Sequence, residues 1–289
     1  MHHSGLSTNS SFTLNLCGTL HTFNRPVVMG ILNITPDSFY KNSRVMDETQ
    51  IIKTAGKMLE DGGDILDIGG QSTRPGAIPL SEDEEMERVI PAIQTVKKNF
   101  PTSIISVDTF YSSVAQYAVD NGASIVNDIN AGSLDGKMIQ SVARLSVPYI
   151  LMHMQGTPQT MLNNPVYKEV VNDIIYFFST KIAELRNAGV NDIVLDPGFG
   201  FGKTMENNYT LLRRLDEFKI FGLPVLAGLS RKKMIQTATG SSSEGALNGT
   251  TAANMIALIN GARILRVHDV KEAVECANVF ETTKGNIIK

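Results

Sequence analysis

Residues 67–76 read DIGGQSTRPG and follow Ile65 and Leu66, so a short apolar run ends in two glycines and a polar loop. A run of this length bounded by turn residues is the pattern of a buried strand. The loop offers two hydroxyls, Ser72 and Thr73, and the planar donor fork of Arg74, beside glycines that let backbone approach a ligand. Taken alone, it reads equally as an ordinary strand-to-helix turn with a surface arginine. Its weight comes from recurrence. Apolar run, polar loop and helical pattern return from Val27 onward at an average spacing of roughly 34 residues, as βα units do.

Eight runs read as strands: Val27 to Leu32, Asp64 to Ile68, Ile104 to Val107, Ser124 to Val126, Tyr149 to Met152, Ile193 to Leu195, Pro224 to Ala227 and Arg263 to Val267. Helical patterns lie between them. Asp47 with Gln50, and Ser81 with Glu84, have capping-box spacing. Asn164-Pro165 is expected to open a helix burying Val166, Val170, Ile174, Phe178, Ile182 and Leu185 before Gly189. Asp269 is expected to open the last, with Val270, Ala273, Val274, Ala277 and Phe280 inward. Ahead of all these, Phe12 to Phe23 alternates around Cys17-Gly18 as a hairpin does, placed to plug one end of the fold.

Eight βα units with no break in composition predict an α/β fold, a single (β/α)8 TIM barrel with an N-terminal β-hairpin. The rival doubly wound sheet would carry a glycine-rich turn after its first strand, and none stands there. Residues 1–11 are polar and expected to be disordered, and 12–289 are expected to form one domain that includes the hairpin at 12–23.

The 289 residues suit one such barrel. A net charge of -3 without long like-charge blocks leaves no footprint for nucleic acid or an anionic membrane. No stretch is apolar for long enough to span a bilayer, so a cytoplasmic location is expected. Cys17 and Cys276 fit neither a disulfide framework nor a metal spacing, and both read as packing residues in a reducing compartment.

In a barrel the carboxyl ends of the strands share one mouth. The residues there are Asn33, Asp67, Asp108, Asn127 with Asp128, His153, Asp196, Ser230 with Arg231 and Lys232, and Arg266 with His268, polar at every strand. Asp128 and Asp269 also suit helix caps. Arg74, Lys203, Arg231, Lys232, Arg266 and His268 form a basic cluster in an acidic chain, which points to an anionic ligand, and a diphosphate fits it. Asp67, Asp108, Asn127 and Asp196 could bind a metal, exchange protons or read the donor edge of a heterocycle. The neighbouring asparagines and lysines favour the heterocycle, with any magnesium held largely by the diphosphate. In DPGFGFGKT, 196–204, Pro197 stands where a phosphate loop needs its first glycine. That segment reads as a strand end whose glycines clear space, with Phe199 or Phe201 as an apolar wall or as core. His153 reads as a core or rim residue.

MGILNITPDSF (29–39), DIGGQSTRPG (67–76), SVDT (106–109), NDI (127–129), DPGFGFGK (196–203), SRK (230–232) and RVHDV (266–270), in this order, closely resemble the dihydropteroate synthases. The resemblance implies a folate-pathway transferase joining 6-hydroxymethyl-7,8-dihydropterin diphosphate to 4-aminobenzoate. It implies that Asp108, Asn127, Asp196 and Lys232 bind the pterin, and that Arg266 and His268 bind the diphosphate. Asn33 would contact Mg2+, Thr73 and Arg74 would lie near diphosphate and aminobenzoate, and Ser230 and Phe201 would flank the aminobenzoate. Asp108 would stabilise a pterin methylene cation while Lys232, Arg266, His268 and magnesium stabilise the leaving group. A homodimer and inhibition by sulfonamides are expected on the same ground. Tyr40 to Ser43 and Gln71 depart from the usual pattern of such sequences. A methyltetrahydrofolate-dependent corrinoid methyltransferase-like barrel and a non-catalytic pterin-binding paralogue are the alternatives; Arg74, Arg266 and His268 speak against the first, Asn33, Thr73 and Arg74 against the second.

Overall fold

A computed structural model describes residues 11–34, 48–71, 79–157, 159–161 and 165–285. Strands β1 (Phe12–Leu16) and β2 (Thr19–Phe23) form an antiparallel hairpin. Its turn is Cys17-Gly18, both at positive φ, 50° and 89°. Leu14 and Phe23 pack onto Val27, Met29, Ile65, Ile125, Ile150, Val194, Leu226 and Ile264, so the hairpin plugs the N-terminal end of the barrel. Cys17 itself is exposed at the turn, where its side chain packs little, contrary to its reading as a packing residue; Cys276 is buried.

The eight expected parallel strands are β3 (Val27–Asn33), β4 (Ile65–Gly69), β5 (Ile104–Asp108), β6 (Ile125–Asp128), β7 (Tyr149–Met152), β8 (Ile193–Asp196), β9 (Leu226–Ala227) and β10 (Ile264–Val267). They lie in the order β8-β7-β6-β5-β4-β3-β10-β9. A bridge from Leu195 to Val225 and the bond from Leu195 N to Pro224 O (2.9 Å) join the two outer strands and close the barrel. Helices α1 (Glu48–Glu60), α2 (Glu82–Asn99), α3 (Ser112–Asp120), α4 (Met138–Leu145), α5 (Val170–Asn187), α6 (Met205–Arg213), α7 (Lys233–Thr239), α8 (Leu247–Ile259) and α9 (Val270–Thr283) intervene.

Period two sorts every strand. Val28, Leu66, Ile105, Val126, Leu151, Leu195 and Leu265 face outward into the helix-facing core, while Met29, Ile65, Ile125, Ile150, Val194 and Ile264 fill the lumen. Several strands run a residue or two beyond the apolar run, through Asn33, Asp108, Asn127 and Asp196, because the ladder continues where the lumen turns polar.

Three local expectations fail, wholly or in part, for identifiable reasons. Helix α5 starts at Val170, where the Glu169 carboxylate accepts from the N–H groups of Val171 and Asn172. Val166 is 75% exposed, its backbone held in a loop by Gln155, whose amide accepts from Val166 N (2.7 Å) and donates to Val166 O (2.8 Å). Asp269 does open α9 from the N-cap position, but its side chain makes no capping bond, because its carboxylate pairs with Arg231. Residues 1–10, Asp47 and Asn164 lie outside the described residues, and with them most of the N-terminal segment expected to be disordered.

The Ser81–Glu84 capping box is present, with Glu84 N donating to Ser81 Oγ (3.3 Å) and Ser81 N to Glu84 Oε2 (2.9 Å). Ser81→Ala is expected to cost about 1 kcal/mol. A urea melt should show this as a lower midpoint with an unchanged slope.

Candidate active site

Above the apolar lumen layer, the same inward parity presents Asp67 on β4, Asp108 on β5, Asn127 on β6, Met152 on β7, Asp196 on β8 and Arg266 on β10. Arg266 lies between two carboxylates. Its Nε donates to Asp67 Oδ2 (2.6 Å) and its Nη2 to Asp108 Oδ2 (2.5 Å). Asn127 Nδ2 donates to the same Asp67 oxygen at 3.1 Å, and Asp67 is fully buried. Two acids therefore share one guanidinium, and one neighbour's amide adds to the cluster. Burial, with Asp67 and Glu85 nearby, pushes the Asp108 carboxyl upward, and Arg266 opposes that. Gly69 leaves the room: a Cβ there would come within 3.2 Å of Asp108 Cβ.

Asp196 ends β8, and its Oδ1 accepts from Gly198 N at 2.8 Å, folding the chain back over the strand. Gly198 has φ 71°, and a Cβ there would stand 1.9 Å from the His153 carbonyl oxygen, so the loop touches its neighbour backbone to backbone. Lys232 reaches under this loop, donating to the Phe199 carbonyl, with its ammonium 4.6 Å from the Phe201 ring centre. Burial lowers its pKa to about 8, against the pull of Asp196. Asp196 in turn is raised by burial, which Lys232, Arg266 and Lys203 partly offset.

Two members of the expected basic cluster are not available to an anion. Lys203 is buried, its ammonium donating to the carbonyls of Gly198 (2.9 Å) and Phe201 (3.0 Å) and lying 3.0 Å from His153 Nδ1. Burial takes Lys203 down to about 7 and His153 to about 2, so the imidazole is neutral and accepts from the lysine. Arg231 forks onto Asp269 through Nε (2.8 Å) and Nη2 (2.7 Å), and its Nη1 donates to the carbonyls of Ser243 and Glu244. Composition counts charges but not the partners that consume them.

Phe199 is fully buried core, whereas Phe201 packs beside a cluster of Phe110, Ile129 and Met152 at the lumen mouth. Ile129 and Met152 share the inward parity of Asn127 and Ile150. Phe201 is thus part of an apolar wall suited to a flat ring, but Phe110, Ile129 and Met152 in it give no sign in sequence, because inward apolar residues look the same whether they pack on protein or on ligand. Ser230 is buried beside the exposed His268, and Asn33 ends β3 on the inward parity. Thr73, Arg74 and Tyr40 to Ser43 lie outside the described residues. Among the described residues, no group of three His, Cys, Asp or Glu side chains could hold a metal.

Residues 29–268 match the family described as pterin binding enzymes. The dihydropteroate synthase of Escherichia coli K12 is 43% identical over 268 residues, covering 92% of this chain and 94% of the relative. The chain belongs to the dihydropteroate synthase family of pterin-binding enzymes. The barrel agrees: the Yersinia pestis dihydropteroate synthase, solved as a sulfonamide drug complex, superposes with a TM-score of 0.89 at 40% identity, covering 95% of this chain and all of that one. The Xanthomonas albilineans enzyme in complex with 7,8-dihydropteroate superposes at 0.84 with 37% identity, covering 94% and 99% of the two chains.

Gln71, read from the sequence as a departure from the resemblance, has a clear structural use. Its Nε2 donates to Glu85 Oε2 (2.6 Å), and its Oε1 accepts from Leu80 N (3.0 Å). A carboxamide can do both, whereas glutamate there would set two buried carboxylates against each other. Burial raises Glu85 to about 7. The folded state therefore holds a proton that the unfolded chain has released above its ordinary carboxylate pKa, so this group lowers stability as pH rises from about 4.5 through 7. Thermal melts of Glu85→Gln should lose less stability than wild type between pH 5 and pH 8; parallel pH profiles would contradict this. Gly198→Ala, by contrast, should strongly destabilise the fold at every pH, because the clash is with backbone.

Proposed function

We infer that the chain is a transferase that joins 6-hydroxymethyl-7,8-dihydropterin diphosphate to 4-aminobenzoate, releasing diphosphate and forming 7,8-dihydropteroate. The observation that carries this reading is the lumen layer in which Asp108, Asn127, Asp196 and Arg266 converge beside Lys232 and an apolar wall. A pterin is a flat ring with an edge rich in N–H donors and one oxo acceptor. Carboxylates at Asp108 and Asp196 suit the donors, the carboxamide of Asn127 suits either, and Lys232 suits the oxo group. Phe201, Met152 and Ile129 offer the ring a surface.

In the reaction the carbon–oxygen bond to diphosphate breaks with its electron pair leaving on the phosphate oxygen. The methylene cation that remains is captured by the amine nitrogen, which then gives up a proton. No protein nucleophile is required. Asp108, kept beside Arg266, lowers the energy of the cation, and the cations at the mouth lower that of the departing diphosphate. His268 and Arg266 are our choice for the diphosphate, with Thr73 and Arg74 near it, and Ser230 and Phe201 toward the aminobenzoate. Magnesium, when bound, would neutralise diphosphate charge. Asn33, which ends β3 on the inward parity, would supply it with a carboxamide oxygen.

We also place the protein in the cytoplasm, which two unpaired cysteines suit, and among the described residues no helix is long and apolar enough to cross a membrane. A homodimer through α8 and α9 is proposed because Ile256, Ile259 and Val279 are 45%, 54% and 56% exposed on that packed helix pair. Light scattering should give a dimer mass that Ile259→Asp reduces to that of a monomer.

The test is diphosphate release from the pterin diphosphate with magnesium, with and without 4-aminobenzoate. Dihydropteroate should form only when aminobenzoate is present, and Asp108→Ala and Arg266→Ala should each lose at least about a hundredfold in rate. Tight pterin binding without product would instead favour a non-catalytic pterin-binding protein. Because Lys232 loses its charge as pH rises through about 8, kcat/KM for the pterin substrate should fall on that alkaline side. Lys232→Arg should move the fall to higher pH, and an unmoved limb would exclude Lys232 as its origin.

A further inference from the structure

Two loops at the mouth are tied together at consecutive residues. Arg231, in the left-handed conformation at φ 55°, forks onto Asp269, and the preceding residues Ser230 and His268 meet beside that pair. The turn is held further by Arg231 N donating to Thr250 Oγ1 at 3.1 Å. Ser230 therefore has little freedom to face anything but His268.

The contact between them has only one fully satisfied arrangement. His268 N donates to Ser230 Oγ at 3.2 Å, and the same oxygen lies 3.0 Å from His268 Nδ1. A backbone N–H can only donate, so the hydroxyl accepts there. Its own proton then needs an acceptor, and among the described residues Nδ1 is the one in contact with it. Were Nδ1 protonated, the buried hydroxyl would face two donors and its proton would have no acceptor. An imidazolium has the same fault. It would also add a positive charge beside Arg266, Arg231 and Lys232, with Asp269 as the nearby acid already shared with Arg231.

We propose that Ser230 is a positioning residue that fixes the tautomer of His268, so that the imidazole is neutral, unprotonated at Nδ1, and offers its Nε2–H to an oxygen of the departing diphosphate. Although His268 keeps an exposed edge, desolvation of its ring and the neighbouring cations hold it down to about 4, which acts in the same direction. Among the described residues Nε2 has no hydrogen-bond partner, so its donor is free for an anion. Ser230, proposed above toward the aminobenzoate, would then also act one step behind the diphosphate through His268. The tautomer stands apart from the transferase reading; the anion it serves rests on that reading.

The test is nitrogen-resolved NMR of histidine-labelled protein, with the His268 signals assigned by their loss in His268→Gln. Wild type at pH 7 should show Nδ1 unprotonated and Nε2 protonated. Ser230→Thr, which keeps the hydroxyl, should retain that pattern, and Ser230→Ala should give a mixture of tautomers. Binding of inorganic diphosphate with magnesium should weaken about tenfold in Ser230→Ala and stay near wild type in Ser230→Thr. A wild-type ring protonated at Nδ1, or a Ser230→Ala ring with the wild-type tautomer, overturns the proposal irrespective of turnover. The predicted tautomer together with unchanged diphosphate affinity in Ser230→Ala overturns its anion half.

Discussion

One guanidinium between two carboxylates governs the mouth of this barrel. Arg266 cannot release its proton, so once β10 carries it into the lumen its charge must be met there, and Asp67 and Asp108 meet it from neighbouring strands. The pairing fixes Asp108 where a pterin would need a negative charge, and it spares either acid from facing the other unscreened. Removing one partner of such a buried set typically costs about 3–5 kcal/mol, far more than an exposed ion pair contributes. Asp67 has no part in the expected pterin set, yet it holds Arg266 in place.

The loops outside this layer repeat the logic with other means. Lys203 gathers the carbonyls of the 196–203 segment, and that segment carries the Phe199 carbonyl that receives Lys232 and the Phe201 ring beside it. Arg231 gathers the next two loops in the same way through Asp269 and the carbonyls of Ser243 and Glu244. Both spend their donors on protein acceptors and so shape what substrate would meet. Preorganisation of this kind suits a reaction whose need is charge stabilisation at a fixed place.

Much of this was legible in the sequence, because period two is rigid. Eight apolar runs ending in polar residues pointed to the barrel, and their carboxyl ends put Asp108, Asn127, Asp196 and Arg266 at one mouth; the structure adds that period two turns all four inward. What pattern could not supply was partnership. Arg231 and Lys203 look like free cations until Asp269 and the loop carbonyls are brought up to them, and Val166 looks like a helix residue until Gln155 captures its backbone. Phe110, Ile129 and Met152 stayed hidden because an apolar side chain gives no sign of whether it faces protein or ligand. The family resemblance named the pterin set, whereas the roles of Asp67, Gln71 and Ser230 come from contacts between residues far apart in sequence.

The most direct test of the central claim is the affinity of Arg266→Lys for the pterin diphosphate, measured by calorimetry beside wild type. Lysine keeps the charge but cannot fork onto both carboxylates. Affinity should fall by more than about tenfold while the protein still folds. Wild-type affinity in this variant would mean that the charge alone suffices, and that the shared guanidinium does not organise the site.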